Sequence, residues 1–145
     1  MKKQFQKTVT LDDLAVFCEN FRDEFEPGDV VSLEAEMGGG KTTLLRCLLQ
    51  SLGMADDEGF SSPTFSILNQ YDCDGVLINH VDLYRLSDFE ELENTDILAE
   101  FTKDRISFIE WGNKFAELNS LYNKKIILMA DQQDPEERLI SFFKR

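Results

Sequence analysis

The apolar positions of this chain switch between strand-like runs and helical spacing, and that switching lays out its elements. Residues 4–9 read as a short strand. Leu11, Leu14, Ala15, Phe17, Cys18 and Phe21 then recur at helical spacing, which predicts an amphipathic helix over 11–25. Thr10 is placed to cap it, with Asp12 and Asp13 in the first turn, where acids favour the helix dipole. Pro27-Gly28-Asp29 turns the chain into the short apolar strand Val30-Val31-Ser32-Leu33. Three glycines follow, and Leu44, Leu45, Leu48 and Leu49 mark a second helix over 42–52. Ser62-Pro63 breaks a polar loop before a strand at 65–71, and Asp72-Cys73-Asp74-Gly75 makes a hairpin into a strand at 76–81. Residues 87–100 look helical, capped by Ser87 and interrupted near Asn94-Thr95. A strand at 105–109, a helix at 114–121 and a strand pair at 125–129 and 139–143 complete the chain. Strands alternating with helices predict one α/β domain over 1–145. Its sheet is mostly parallel, covered on both faces, with antiparallel hairpin additions.

Composition narrows the class. A chain of 145 residues buries roughly 70% of its extended surface in one domain. With 42% hydrophobic residues and twelve Phe there is core material enough to exclude disorder. No apolar run is long enough to span a bilayer, and Met1-Lys2-Lys3 leads into polar residues rather than a signal core. The expectation is a cytoplasmic protein with no membrane role. Cys18, Cys47 and Cys73 are odd in number and lack metal-type spacing, so they read as free thiols of a reducing compartment.

Charge changes the picture more when divided than when summed. The net charge is -13, but residues 54–100 hold twelve acids and one base, Arg85, against nine acids and six bases before them and seven acids and eight bases after. Such a chain repels a polyanion unless a local basic patch or a partner intervenes, which disfavours direct nucleic-acid binding.

The sharpest local chemistry is Ala35-Glu36-Met37-Gly38-Gly39-Gly40-Lys41-Thr42, set between an apolar strand and an amphipathic helix. That is the context of a phosphate-binding loop. Successive glycines let backbone N–H groups turn onto phosphate oxygens, with Thr43 continuing the helix start. Lys41 supplies charge for the β- and γ-phosphates, and the Thr42 hydroxyl is placed for Mg²⁺. A flexible glycine linker would have no reason to lie between strand and helix. Two further acids close apolar strands: Asp82 after 76–81 and Glu110 after 106–109. Ligands of open parallel sheets sit at the carboxyl ends of strands, so both acids point to the same rim as candidates for the metal or its water. Either alone could be a solvated turn residue. His80 reads as a hydrogen-bonded structural histidine, and Trp111 as a core aromatic or a wall of the site. Arg85 could pair with Asp82 or Asp88 or reach the phosphates.

Taken together, these segments resemble the TsaE (YjeE) family of compact P-loop ATPases. The resemblance rests on Gly38-Gly39-Gly40-Lys41-Thr42-Thr43, Ser62-Pro63-Thr64-Phe65, His80-Val81-Asp82-Leu83-Tyr84-Arg85-Leu86 and Ile109-Glu110-Trp111. It covers about 8–118. Departures are Ala35 for the family's Gly, Gly39 where Ala is usual, and Gly112 where Pro often follows the Trp. The resemblance implies a P-loop NTPase three-layer sandwich that binds ATP and Mg²⁺ and hydrolyses ATP weakly alone. It also implies work with the TsaB–TsaD heterodimer in forming threonylcarbamoyladenosine on tRNA. Carried onto this chain, Lys41, Asp82 and Glu110 would be catalytic, and Thr42, Glu110 and Asp82 would hold the metal. Ser62, Pro63 and Thr64 would form a switch-like loop, with Arg85 and Trp111 near the nucleotide or a partner, and Thr10 approaching the adenine. The guanine signature Asn-Lys-x-Asp is missing, since neither Asn113-Lys114-Phe115-Ala116 nor Asn123-Lys124-Lys125-Ile126 carries the Asp. Two other readings compete. A small-molecule kinase would want a lid rich in Arg or Lys, which 54–102 does not offer beyond Arg85. A non-catalytic protein would use the nucleotide only to order the 62–65 loop.

Overall fold

The computed structural model describes residues 1–36, 38–55, 59–60, 67–131 and 133–145. Its strands are β1 (Lys2–Thr10), β2 (Val30–Ala35), β3 (Leu68–Cys73), β4 (Val76–Asp82), β5 (Ile106–Glu110), β6 (Lys124–Ala130) and β7 (Glu137–Lys144). Its α-helices are α1 (Leu14–Phe21), α2 (Lys41–Ser51) and α3 (Phe89–Glu93), with 3-10 turns at Arg22–Glu24, Ile97–Glu100, Gly112–Lys114 and Ala116–Leu118. The strands form one seven-stranded mixed sheet in the order β1-β7-β6-β2-β5-β4-β3.

The expectation of a mostly parallel sheet holds at the centre alone. β6, β2, β5 and β4 run parallel, whereas β1/β7, β7/β6 and β3/β4 are antiparallel. For β7/β6 and β3/β4 the reason is connection length. The short links at 74–75 and 131–136 can make hairpins but cannot carry a crossover. At the first of these, Asp74 and Gly75 both have positive φ (51° and 86°), the conformation a two-residue hairpin turn demands.

Strand alternation divides the core in two. Val31, Leu33, Ile78, Ile106, Phe108, Ile126 and Leu128 face α1 and α2, together with Leu44, Leu45, Leu48 and Leu49 of α2. Val81 and Ile109 face the other way, against Leu92 of α3 and Leu118 and Tyr122 beyond β5. Most of the first core is aromatic on one side: Phe5, Phe17, Phe21, Phe25 and Phe142 pack at centroid separations of 5.0–6.1 Å, mostly edge-on, a geometry that favours ring quadrupoles. At the rim away from the glycine loop, buried Asp29 accepts hydrogen bonds from Lys124 Nζ, Asn123 Nδ2 and Glu26 N, which ties the starts of β2 and β6.

Local chemistry shifts several element ends. Thr10 Oγ1 accepts from Asp13 N (3.2 Å) and donates to Asp13 Oδ2 (3.0 Å), so it closes a tight turn at 11–13 and α-helical bonding begins later, at Leu14. The predicted helix 11–25 is therefore α1 followed by a 3-10 turn. Asp88, not Ser87, caps α3, accepting from Glu91 N, while Ser87 N donates to Glu91 Oε1. The helix expected at 114–121 is replaced by two 3-10 turns. Phe115 between them is extended (φ -114°, ψ 105°) and buries its ring, and Lys114 Nζ is bound to the carbonyls of Tyr84 and Leu86. Among the described residues no helix is long and apolar enough to cross a membrane. None of the three cysteines is in a disulfide, and burial, helped by neighbouring Cys47, pushes the Cys18 thiol up and leaves it inert.

Candidate functional site

Because β2, β5 and β4 are parallel neighbours, their carboxyl ends meet at one rim, and the glycine-rich loop leaves β2 there. Gly38 and Gly40 have φ of 76° and 95°, open to glycine but strained for other residues. Gly40 caps α2, and its carbonyl takes the first helical bond, from Leu44 N. Gly39 is required for space: a Cβ there would lie 2.8 Å from the Glu36 carbonyl and 3.0 Å from Ala35 Cβ.

Lys41, only 8% exposed, starts α2. Its Nζ donates to Ala35 O (3.3 Å) and lies 4.0 Å from Glu110 Oε1 and 4.0 Å from the Trp111 ring centre. Burial lowers the ammonium's pKa, while Glu110 and Asp82 oppose that shift. Thr42 and Thr43 follow on the exposed side of the helix start.

Register brings the two acids together. Asp82 of β4 lies opposite Glu110 of β5. Alternation puts His80, Asp82, Phe108 and Glu110 on the face that α2 covers. Burial raises the Asp82 pKa and the Glu110 charge adds to it, while the Tyr84 N–H on Asp82 Oδ1 (2.9 Å) pulls the other way. Glu110 is 2% exposed, and its Oε2 is 2.5 Å from Nε2 of the fully buried His80. His80 Nδ1 has no hydrogen-bond partner among the described residues, so the tautomer protonated on Nε2 uses the ring's one N–H on Glu110. The Phe60 ring stacks parallel to His80 at 5.5 Å. Trp111, next to Glu110, has φ 63°, a left-handed conformation costing a bulky residue of order 1–3 kcal/mol. It holds the indole between Lys41 and the exposed Tyr84, whose ring centre is 5.1 Å away.

On the other side of the loop, a cavity of about 240 Å³ runs between Thr10, Leu11, Gly38, Gly40, Thr43 and Arg138. Its remaining wall is largely apolar, from Val9, Leu14, Leu44, Leu128 and Ile140.

The structure thus gathers Gly38, Gly39, Gly40, Lys41, Asp82, Glu110 and Trp111 at one rim, with Thr10 and Thr43 on the adjoining cavity. Ser62, Pro63 and Thr64 lie outside the described residues. Arg85 is exposed and has no ion pair among the described residues; its expected partners are taken, Asp82 by Tyr84 N and Asp88 by Glu91 N. Sequence reasoning passed over Arg138, Phe60 and the His80–Glu110 contact. Arg138 sits 99 positions from Gly39, and only the β6/β7 hairpin beside β2 brings them together, so spacing carried no signal.

The architecture defines an α/β protein whose glycine-rich loop opens onto a pair of registered carboxylates. The family model described as threonylcarbamoyl adenosine biosynthesis protein TsaE matches residues 8–140, and the chain belongs to that family. A Bacillus subtilis relative called tRNA threonylcarbamoyladenosine biosynthesis protein TsaE is 30% identical over 143 residues, covering 98% of this chain and 86% of that protein. A Haemophilus influenzae protein of the same name is 43% identical over 89 residues, 61% of this chain but 55% of its own length, so that match spans little more than half of the relative. The crystal structure of Bacillus subtilis YdiB superposes with a TM-score of 0.68 at 23% identity, over 99% of this chain and 87% of that one, a likeness of fold.

Proposed function

We propose that this chain is a P-loop ATPase subunit that supports N6-threonylcarbamoyladenosine formation on tRNA together with a TsaB–TsaD heterodimer. Its sheet and covering helices are read as the three-layer P-loop sandwich. The observation that carries the proposal is the convergence, at one rim, of Lys41 after three glycines with the registered pair Asp82–Glu110. A lysine partly stripped of water, and an Asp82 whose ionisation is made costlier by burial and by neighbouring Glu110, are groups waiting for a partner of mixed charge.

The donor set fits Mg²⁺ bound with a nucleotide. Two carboxylates and one hydroxyl are too few for an all-protein cage, and they suit an ion that keeps water and shares substrate phosphates. Thr42 and Glu110 would hold it, with Asp82 in support. Bound there, Mg²⁺ would neutralise charge on the β- and γ-phosphoryl oxygens. The chain's own groups do the rest. Backbone N–H groups of the glycine loop other than Gly39, whose N–H is held by the Glu36 carbonyl, and those of the α2 terminus would donate to the phosphates, and Lys41 would add charge at the γ-group. Asp82 would accept a hydrogen bond from the attacking water. The water oxygen bonds to the γ-phosphorus as the bond from that phosphorus to the β–γ bridging oxygen breaks, the bridging oxygen leaving with ADP and the water's proton with the released phosphate. His80 keeps one Glu110 oxygen fixed, which leaves the other facing Lys41. The largely apolar cavity beside Thr10 would take the adenosine, away from the chemistry.

ATP turnover with and without TsaB–TsaD tests this. Turnover is expected to be weak alone and raised by the partners. Lys41→Ala and Glu110→Ala should each lower it by at least about 100-fold, the scale of losing one preorganised electrostatic group. Unchanged turnover in Lys41→Ala, or none with partners present, would overturn the proposal. A phosphorylated metabolite in place of free phosphate would replace it with the kinase reading.

A further inference from the structure

Among the described residues lining the cavity beside the glycine loop Arg138 is the one cation, and the phosphate chemistry above does not use it. It reaches the loop from β7: Nε donates to the Gly39 carbonyl at 3.1 Å, while Nη1 donates to the carbonyls of Pro135 (2.6 Å) and Glu137 (2.9 Å). One planar fork is therefore fixed at three points, two on its own strand end and one on the loop. It also lines the cavity shared by Thr10, Gly38, Gly40 and Thr43.

The consequence lies in the peptide it grips. In a trans peptide the carbonyl of residue 39 and the N–H of residue 40 point in opposite directions. Holding the Gly39 carbonyl toward β7 aims the Gly40 N–H away from β7. That is the orientation the loop needs if its N–H groups are to converge on an anion. Gly40 is in a left-handed conformation with no side chain to restrain it, so this peptide could otherwise turn over at little cost. A Cβ at Gly40 would sit 3.5 Å from Arg138 Nε, so the guanidinium also packs directly on this turn.

We propose that Arg138 is a positioning residue for the phosphate loop, clamping the Gly39–Gly40 peptide so that its N–H is presented to a polyphosphate. The clamp rests on the nucleotide-binding reading above and extends it: the C-terminal hairpin, not only the strand–loop–helix unit, preorganises the anion site. A clamp of this kind acts more on phosphate than on the nucleoside, even though Arg138 also lines the cavity proposed for it.

Binding of ADP, inorganic tripolyphosphate and adenosine to the full chain, measured by calorimetry for wild type, Arg138→Gln and Arg138→Lys, separates the possibilities. Arg138→Gln should weaken ADP and tripolyphosphate about tenfold, the scale of one misdirected charge-assisted hydrogen bond. Adenosine, whose proposed cavity Arg138 also lines, should weaken by clearly less than tripolyphosphate, and the fold as judged by circular dichroism should stay the same. Arg138→Lys keeps the charge and loses the fork, so it should recover only part of that affinity. Equal loss for adenosine, no loss for tripolyphosphate, or full recovery by lysine would overturn the clamp while wild type still bound nucleotide. Wild type that bound neither ADP nor tripolyphosphate would instead sink the nucleotide reading and the clamp with it.

Discussion

At the residue scale, positions 35 and 39 of the glycine loop are coupled by space. A Cβ on Gly39 would lie 3.0 Å from Ala35 Cβ. There is room for one methyl between these positions, and here it sits on residue 35. Gly39→Ala in this chain should therefore crowd the loop at a cost of about 1–3 kcal/mol, read as a tenfold or greater loss of nucleotide affinity. Adding Ala35→Gly should recover part of it, because the side-chain clash goes while the 2.8 Å approach to the Glu36 carbonyl stays. Additive losses in the double variant would disprove the exchange. The same rim carries a second, opposite signature. The Asp82 pKa is raised mainly by burial, so the folded state favours its protonated form and ionisation weakens the fold. In protein free of nucleotide and divalent cation, Asp82→Asn should melt higher than wild type at neutral pH. That gap should narrow as pH falls through the raised folded pKa and vanish below the ordinary aspartate range. A variant less stable than wild type at pH 7 would show that the carboxylate supports the fold instead.

At the element scale, what was legible from the sequence follows from how local each feature is. The glycine loop, α2 and the strand ends at Asp82 and Glu110 could be read because strand–loop–helix and strand–acid are contiguous. The 74–75 turn was readable for the same reason. Where the outcome depends on a neighbouring element, sequence pattern failed. Residues 114–121 carry enough helix formers to suggest a helix. Lys114 is nevertheless spent on the Tyr84 and Leu86 carbonyls and Phe115 must extend to bury its ring, so two 3-10 turns result. His80 could be seen as a buried histidine, but its bond to Glu110 needs the β4/β5 register. Arg138 needs the antiparallel return of β7, which no local spacing announces. The site is therefore half a contiguous motif and half a product of sheet order.

At the scale of the whole molecule, sheet order also sorts charge. β1, with Lys2, Lys3 and Lys7, forms one edge, and β3 the other. The exposed acids Glu90, Glu93 and Asp96 lie on and just after α3, which covers the second face of the sheet against β4 and β5, within the segment that holds twelve acids against Arg85. The rim proposed for the nucleotide lies between these edges, so affinity for a polyanion there would have to come from local N–H groups, Lys41 and a cation rather than from the molecular field. The acidic α3 surface is suited to a basic protein surface, and under the proposed function such a surface on the partner would also be where tRNA lies. Neutralising Glu90, Glu93 and Asp96 to Gln, Gln and Asn spares Asp88 and Glu91, which cap α3. The triple variant should associate more slowly with TsaB–TsaD at low ionic strength. The difference should shrink toward 0.5 M salt, because exposed charges are screened beyond about 8 Å already at 0.15 M. Wild type should also compete with tRNA for the partner complex, and the triple variant less so. If chain and tRNA bound the complex together without loss of affinity, the acidic α3 surface would have some other role than occupying the tRNA surface.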